Sequence, residues 1–247
     1  MPLENFAAMA LALGVGGLVK GATGMGLPIV ALPILAAFLG VQHAVALICF
    51  PVLVTNLWQV FRLRADFWAA DFLPRLMLGG LVGIALGTVI IASVPERSLS
   101  LALALVVLLY VGLRLTRPQL VLSRAHGLTF AVPAGLAAGL LQGATGIGSP
   151  VGATYIHAMR LGRTAHVFAL SAMFLLFAVV QIPALAIAGV LTPKVALEGA
   201  FAVLPALMML PVGSWLASHL SQAMFDRLVL ALLLVVALQM LVRNLAF

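Results

Sequence analysis

Apolar positions in this chain gather in long runs separated by short breaks, rather than in the narrow stripes of amphipathic elements. Runs and breakers together predict helices over 45–61, 72–91, 99–115, 167–190, 195–216 and 228–242. About 18 mainly apolar residues, at about 1.5 Å of rise each, cover a hydrocarbon core near 30 Å thick. These six segments therefore read as membrane crossings.

Two further apolar stretches, 5–40 and 127–162, are interrupted near their centres by Gly21, Gly24, Gly26 and Pro28 and by Gly143, Gly146, Gly148 and Pro150. Either stretch as one helix would reach about 54 Å, whereas two half-helices of about fifteen residues reach about 20 Å each. A re-entrant hairpin that descends and returns fits better than one crossing.

The interrupted stretches are copies of one another. The block Lys20-Gly-Ala-Thr-Gly-Met-Gly-Leu-Pro28 is echoed 122 positions later by Gln142-Gly-Ala-Thr-Gly-Ile-Gly-Ser-Pro150. Ala31/Ala153, Ile34/Ile156, Leu39-Gly40/Leu161-Gly162 and Gln59/Gln181 keep the same offset, and Gly87-Thr88 answers Gly213-Ser214 more loosely. A hairpin plus three crossings is an odd number, so the second copy enters the membrane upside down. The expected fold is an all-α polytopic membrane protein of two inverted repeats, 1–122 and 123–247. Each repeat is a re-entrant or broken-helix hairpin plus three transmembrane helices, about eight membrane segments in all.

Composition agrees: 64% of the 247 residues are hydrophobic and 8% charged, against about 25% charged in soluble domains. The net charge of +7 does not point to nucleic acid, because the basic residues are scattered singly or in pairs between apolar runs, where topology signals lie. With hairpins, Arg62, Arg64, Arg75, Arg114, Arg117, Arg124, Arg160, Arg163 and Arg227 fall on one side, and Arg97, Lys194 and Arg243 on the other. Single broken helices would give eight against four, so the positive-inside rule favours hairpins, with the arginine-rich side cytoplasmic and both termini extracytoplasmic. The first twenty residues lack a basic n-region and carry Glu4, unlike a cleaved signal peptide. Cys49 stands alone and reads as a small buried hydrophobe, with no disulfide, metal or cofactor spacing around it.

Candidate chemistry concentrates in the two breaks. Irregular backbone at membrane depth is tolerated where it is buried in protein or lines a polar cavity, and Pro28 and Pro150 suit the first turn of each returning helix. Free amides over 24–27 and 146–149 would then present donors and a partial positive charge to an anion. Thr23, Thr145 and Ser149 add hydroxyls, and Lys20 is the cation of the first break where the second has neutral Gln142. Lys20 lies too deep in its run to snorkel readily.

Asn56, Gln59 and Gln181 either line a path or hold helices together, and Tyr155, His157 and Arg160 add polarity to the second returning helix alone. The expected substrate-binding set is Lys20, Gly21, Thr23, Gly24, Gly26, Asn56, Gln59, Gln142, Gly143, Thr145, Gly146, Gly148, Ser149, Tyr155 and His157. Close helix packing through small residues is the competing account of the glycines. Trp58, Trp68 and Trp215 read as interface anchors.

With its two Gly-rich blocks closing in Pro, at 21–28 and 143–150, the chain resembles the sulfite exporter TauE/SafE family, also called toluene sulfonate uptake permeases. The resemblance implies bacterial inner-membrane transport of sulfite or of sulfonates such as sulfoacetate. The expected function is secondary transport of a sulfur oxyanion by alternating access around the two loops. An anion channel through the same pocket is the alternative. An intramembrane hydrolase using Ser149 and His157 is a poor one, since eight residues on one helix separate them by about 12 Å. The partners expected are a small anion and membrane lipid, with a homodimer and proton or counter-ion coupling left open.

Overall fold

The computed structural model describes residues 3–116, 120–219 and 222–245. Among them the chain forms ten α-helices and one 3-10 helix, in the order α1 Leu3–Thr23, α2 Leu27–Leu39, α3 Val41–Arg62, the 3-10 helix Arg64–Ala69, α4 Leu73–Ser93, α5 Glu96–Thr116, α6 Arg124–Thr145, α7 Ser149–Ala158, α8 Arg163–Ile187, α9 Pro193–His219 and α10 Gln222–Leu245. Eight of these helices are long and apolar enough to cross a membrane. All six crossings expected from the sequence are present, each extended at one or both ends.

Both interrupted stretches fold back on themselves, but with unequal arms. The outgoing helices α1 and α6 have 21 and 22 residues, and the returning helices α2 and α7 have 13 and 10. The expectation of two arms of about fifteen residues is corrected accordingly. Gly21 and Gly143 stay helical, and the chain leaves the helix only at the left-handed glycines Gly24, at φ 80°, and Gly146, at φ 74°. Pro28 and Pro150 do occupy the first turns of the returning helices. Gly16 lies against Leu27 and Ala31, and Gly152 against Ala138, so α2 and α7 run back along α1 and α6.

Small residues let four helices touch backbone to backbone in two seams. In the first, Gly17 and Gly21 of α1 meet the carbonyls of Ala206 and Leu210 of α9, while Gly213 meets that of Leu18. In the second, Gly79, Gly83 and Gly87 of α4 meet the carbonyls of Val132, Leu136 and Leu140 of α6. Because α6 stands where α1 does in the repeat and α4 where α9 does, the two seams are one design used twice. Each joins the outgoing arm of one half to a helix of the other half. Helices α3 and α8 pack together between them, and α5 pairs with α10.

Polar contacts collect helix ends into two groups. At one end Glu96 accepts hydrogen bonds from the Val41 and Gln42 amides, so a carboxylate caps the start of α3. The same end holds Gln42 Nε2 donating to Ile91 O at 2.8 Å, His43 paired with Glu198 at 2.7 Å, Arg97 Nε donating to Asn244 O at 2.9 Å and Arg243 donating to Ala37 O at 3.0 Å. At the other, arginine-rich end Arg124 pairs with Asp71 at 2.7 Å, Thr164 donates to Asp66 at 3.1 Å and the Leu122 amide donates to Ala158 O at 3.0 Å. The last contact ties the beginning of α6 to the finish of α7. Arg117 lies outside the described residues.

Candidate functional site

At each break a backbone turn stands inside the helical body and must satisfy its own polar groups. Most do so locally. The Gly24 and Gly146 amides donate to Lys20 O and Gln142 O, both at 2.7 Å. The Met25 and Ile147 amides donate to the hydroxyls of Thr23 and Thr145 at 3.3 and 3.4 Å. The Gly148 amide donates to Gln142 Oε1 at 2.9 Å. The row of free donors expected over 24–27 and 146–149 is therefore reduced, among the described residues, to the amides of Gly26, Leu27 and Ser149. Thr23 and Thr145 in turn donate to backbone carbonyls, so their hydroxyls shape the turns.

The carbonyls of the two breaks are held from outside by repeat-matched glutamines. Gln59 Nε2 donates to Gly24 O at 3.1 Å, and Gln181 Nε2 donates to Gln142 O and Gly143 O at 3.4 and 3.3 Å. Each glutamine oxygen is then used by the opposite half: Ser171 Oγ donates to Gln59 Oε1 at 3.0 Å, and Cys49 Sγ to Gln181 Oε1 at 3.7 Å. Cys49 and Ser171 are themselves 122 positions apart. Two crossed chains of hydrogen bonds thus run from α8 through α3 to the first break and from α3 through α8 to the second.

Lys20 interrupts this symmetry. It is 3% exposed, and its ammonium donates to Asn56 Oδ1 at 2.7 Å, while Asn56 Nδ2 donates to Val52 O at 2.7 Å. The Gln142 position of the other half is neutral and Asn56 is matched by Ala178. Among the described residues no carboxylate pairs with Lys20. This buried amine thus has an amide oxygen as its partner and, among the described residues, no counter-charge.

Between the first break and α7 lies a cavity of about 100 Å³ lined by Met25, Tyr110, Leu113, Arg114, Ser149, Ala153, Thr154, His157 and His166. Met25 comes from the first break, Ser149 from the start of α7, and Arg114 from the last turn of α5. Of the expected set, the structure brings Ser149 and His157 to this cavity. Lys20, Asn56 and Gln59 form the neighbouring polar group around the first break, and Gln142 and Gly148 bond within the second. No hydrogen bond joins Ser149 to His157, so the hydrolase arrangement is not formed.

Three expected ligands have other work. Gly21 and Gly143 sit in the two seams, where a Cβ would strike the backbone of Leu210 and of Gly87. Tyr155 donates to Gly127 O at 2.6 Å, clasping α7 to the start of α6. Sequence reasoning missed Arg114, His166, Tyr110, Ser171 and the polar use of Cys49. The offset of 122 was signal enough for Cys49 and Ser171, both small groups able to donate. Nothing in the pattern around Arg114 or His166 separated them from ordinary loop charge.

A family model described as Sulfite exporter TauE/SafE matches residues 8–240. No curated protein and no solved structure matches the chain.

Proposed function

The chain belongs to the sulfite exporter TauE/SafE family, and from that premise we propose that it is a secondary carrier of a small sulfur oxyanion, sulfite or a short sulfonate, across a bacterial inner membrane. One observation carries the reading: the Lys20 ammonium is buried on the neutral oxygen of Asn56, beside a backbone break, without a carboxylate from the described residues. An anion arriving at the break supplies the missing charge, which is a reason for the protein to bear the cost of burying the lysine.

The halves are read as inverted, with the first hairpin opening at the Glu96 end and the second at the arginine-rich end. Alternating access then amounts to one half rocking against the other about α3 and α8, which share the crossed glutamine bonds. Hydrogen bonds from Gln59 and Gln181 hold the break carbonyls turned away from the anion, leaving ammonium and amide donors to face it.

The test is sulfite and methanesulfonate flux in proteoliposomes. Saturable transport by the wild-type chain, reduced at least tenfold in Lys20→Gln and largely kept in Lys20→Arg, is expected. Equal flux in the wild-type and Lys20→Gln proteins would remove the site.

A further inference from the structure

Every side chain around the cavity between the first break and α7 is basic, hydroxyl-bearing or apolar; none is acidic. Arg114, His157 and His166 approach from three helices, and the imidazoles of His157 and His166 stand edge to face with centroids 5.8 Å apart. Ser149 opens α7 and is 6% exposed; its hydroxyl has no hydrogen-bond partner among the described residues although it lines the cavity. In the rest of the break region the hydroxyls and most amides are already bonded, so Ser149 is a donor left over at the point where the α7 dipole is positive. The Ser149 hydroxyl therefore opens onto the cavity, in a space bordered by a guanidinium.

We propose that this cavity is an anion-binding subsite in which Arg114 supplies the charge and His157, His166, Ser149 and Thr154 the hydrogen-bond donors for the oxygens of a sulfite or alkylsulfonate group. The proposal rests on the transport reading above and adds a second station to it, on the arginine-rich side of Lys20. A guanidinium fork matches two oxygens of one oxyanion, which a lysine cannot do with the same geometry. A volume of about 100 Å³ suits sulfite or methanesulfonate better than an oxyanion that carries an aromatic ring. The same chemistry could receive the phosphate of a lipid headgroup, and the test separates the two.

Binding of sulfite, methanesulfonate, toluenesulfonate and inorganic phosphate is measured by calorimetry on the full chain in nanodiscs, first of phosphatidylcholine and then with phosphatidylglycerol added. The subsite predicts sulfite and methanesulfonate binding at least tenfold tighter than toluenesulfonate, with little change on adding the acidic lipid. Arg114→Gln and Ser149→Ala weaken it at least tenfold and about threefold, while Arg124→Gln, which breaks only the Asp71 pair, leaves it unchanged. Thr154→Val, a nearly isosteric change, serves should Arg114→Gln fail to fold, and is expected to weaken binding about threefold. Wild-type affinity in all cavity variants would overturn the subsite while leaving the Lys20 site standing. Binding that disappears when phosphatidylglycerol is added would assign the cavity to lipid and also overturn it. Absence of any sulfur-anion binding or flux in the wild-type chain would sink both readings together.

Discussion

The polar side chains in the spans divide into those the protein uses on itself and those it leaves for a ligand. Gln59 is of the first kind: replacing it by Leu strips partners from Gly24 O and Ser171 Oγ, which costs about 1–3 kcal/mol for unsatisfied buried groups. Its coupling to Ser171 in a double-mutant cycle should fall near the average of about 0.6 kcal/mol for bonds between membrane helices, and below about 1.7 kcal/mol. Tyr155→Phe releases Gly127 O and should lower stability by about 1 kcal/mol in detergent unfolding, with the apparent affinity for sulfite unaltered. Gln59 and Gln181 were recognisable from their shared offset, but their task was not, because periodicity does not say which carbonyl an amide reaches. Lys20 was readable as special from its depth alone. Tyr155 looked like a ligand only because polarity on one half is also what a hairpin clasp looks like.

Helices and hairpins were more legible than sites. Long apolar runs located the six helices expected to cross, since hydropathy is a direct record of what a helix faces, but α1 and α6 are also long enough to cross. The arm lengths were not readable, because the sequence does not say which glycine of each block stays in the helix against a neighbouring backbone and which turns left-handed. Gly21 and Gly143 against Gly24 and Gly146 make that contrast within three residues. A Leu at Gly83 would collide with the Leu136 backbone, so Gly83→Leu should open the α4–α6 seam and destabilise by more than about 3 kcal/mol, beyond the cost of ordinary overpacking. Gly112 has nothing within 4 Å of a new Cβ, and Gly112→Ala should stabilise α5 by about 0.5–1 kcal/mol. Thermal unfolding of both variants in the same micelle checks the pair, and a loss in Gly112→Ala equal to that in Gly83→Leu would contradict the seam.

Across the whole molecule, the duplicated block, the two matched seams and the crossed glutamine chains are one relation between halves, expressed in sequence, packing and polar contacts. Lys20, Asn56, Arg114 and His157 depart from it, so polar and charged chemistry is concentrated where the halves differ. The charge distribution predicts that the arginine-rich end faces the cytoplasm. In a Cys49→Ser background, an impermeant maleimide applied to intact cells should label Ala188→Cys at the Glu96 end and spare Ala125→Cys; the reverse result would turn the molecule over. The central claim is that a backbone break inside the membrane body receives a small anion. It is tested most directly by the alkylation rate of Met25→Cys in the same background, with and without methanesulfonate. The account predicts a thiol reached from one side of the membrane only and slowed at least tenfold by the anion. A rate equal to that of a free thiol in water, or one indifferent to methanesulfonate, would contradict it.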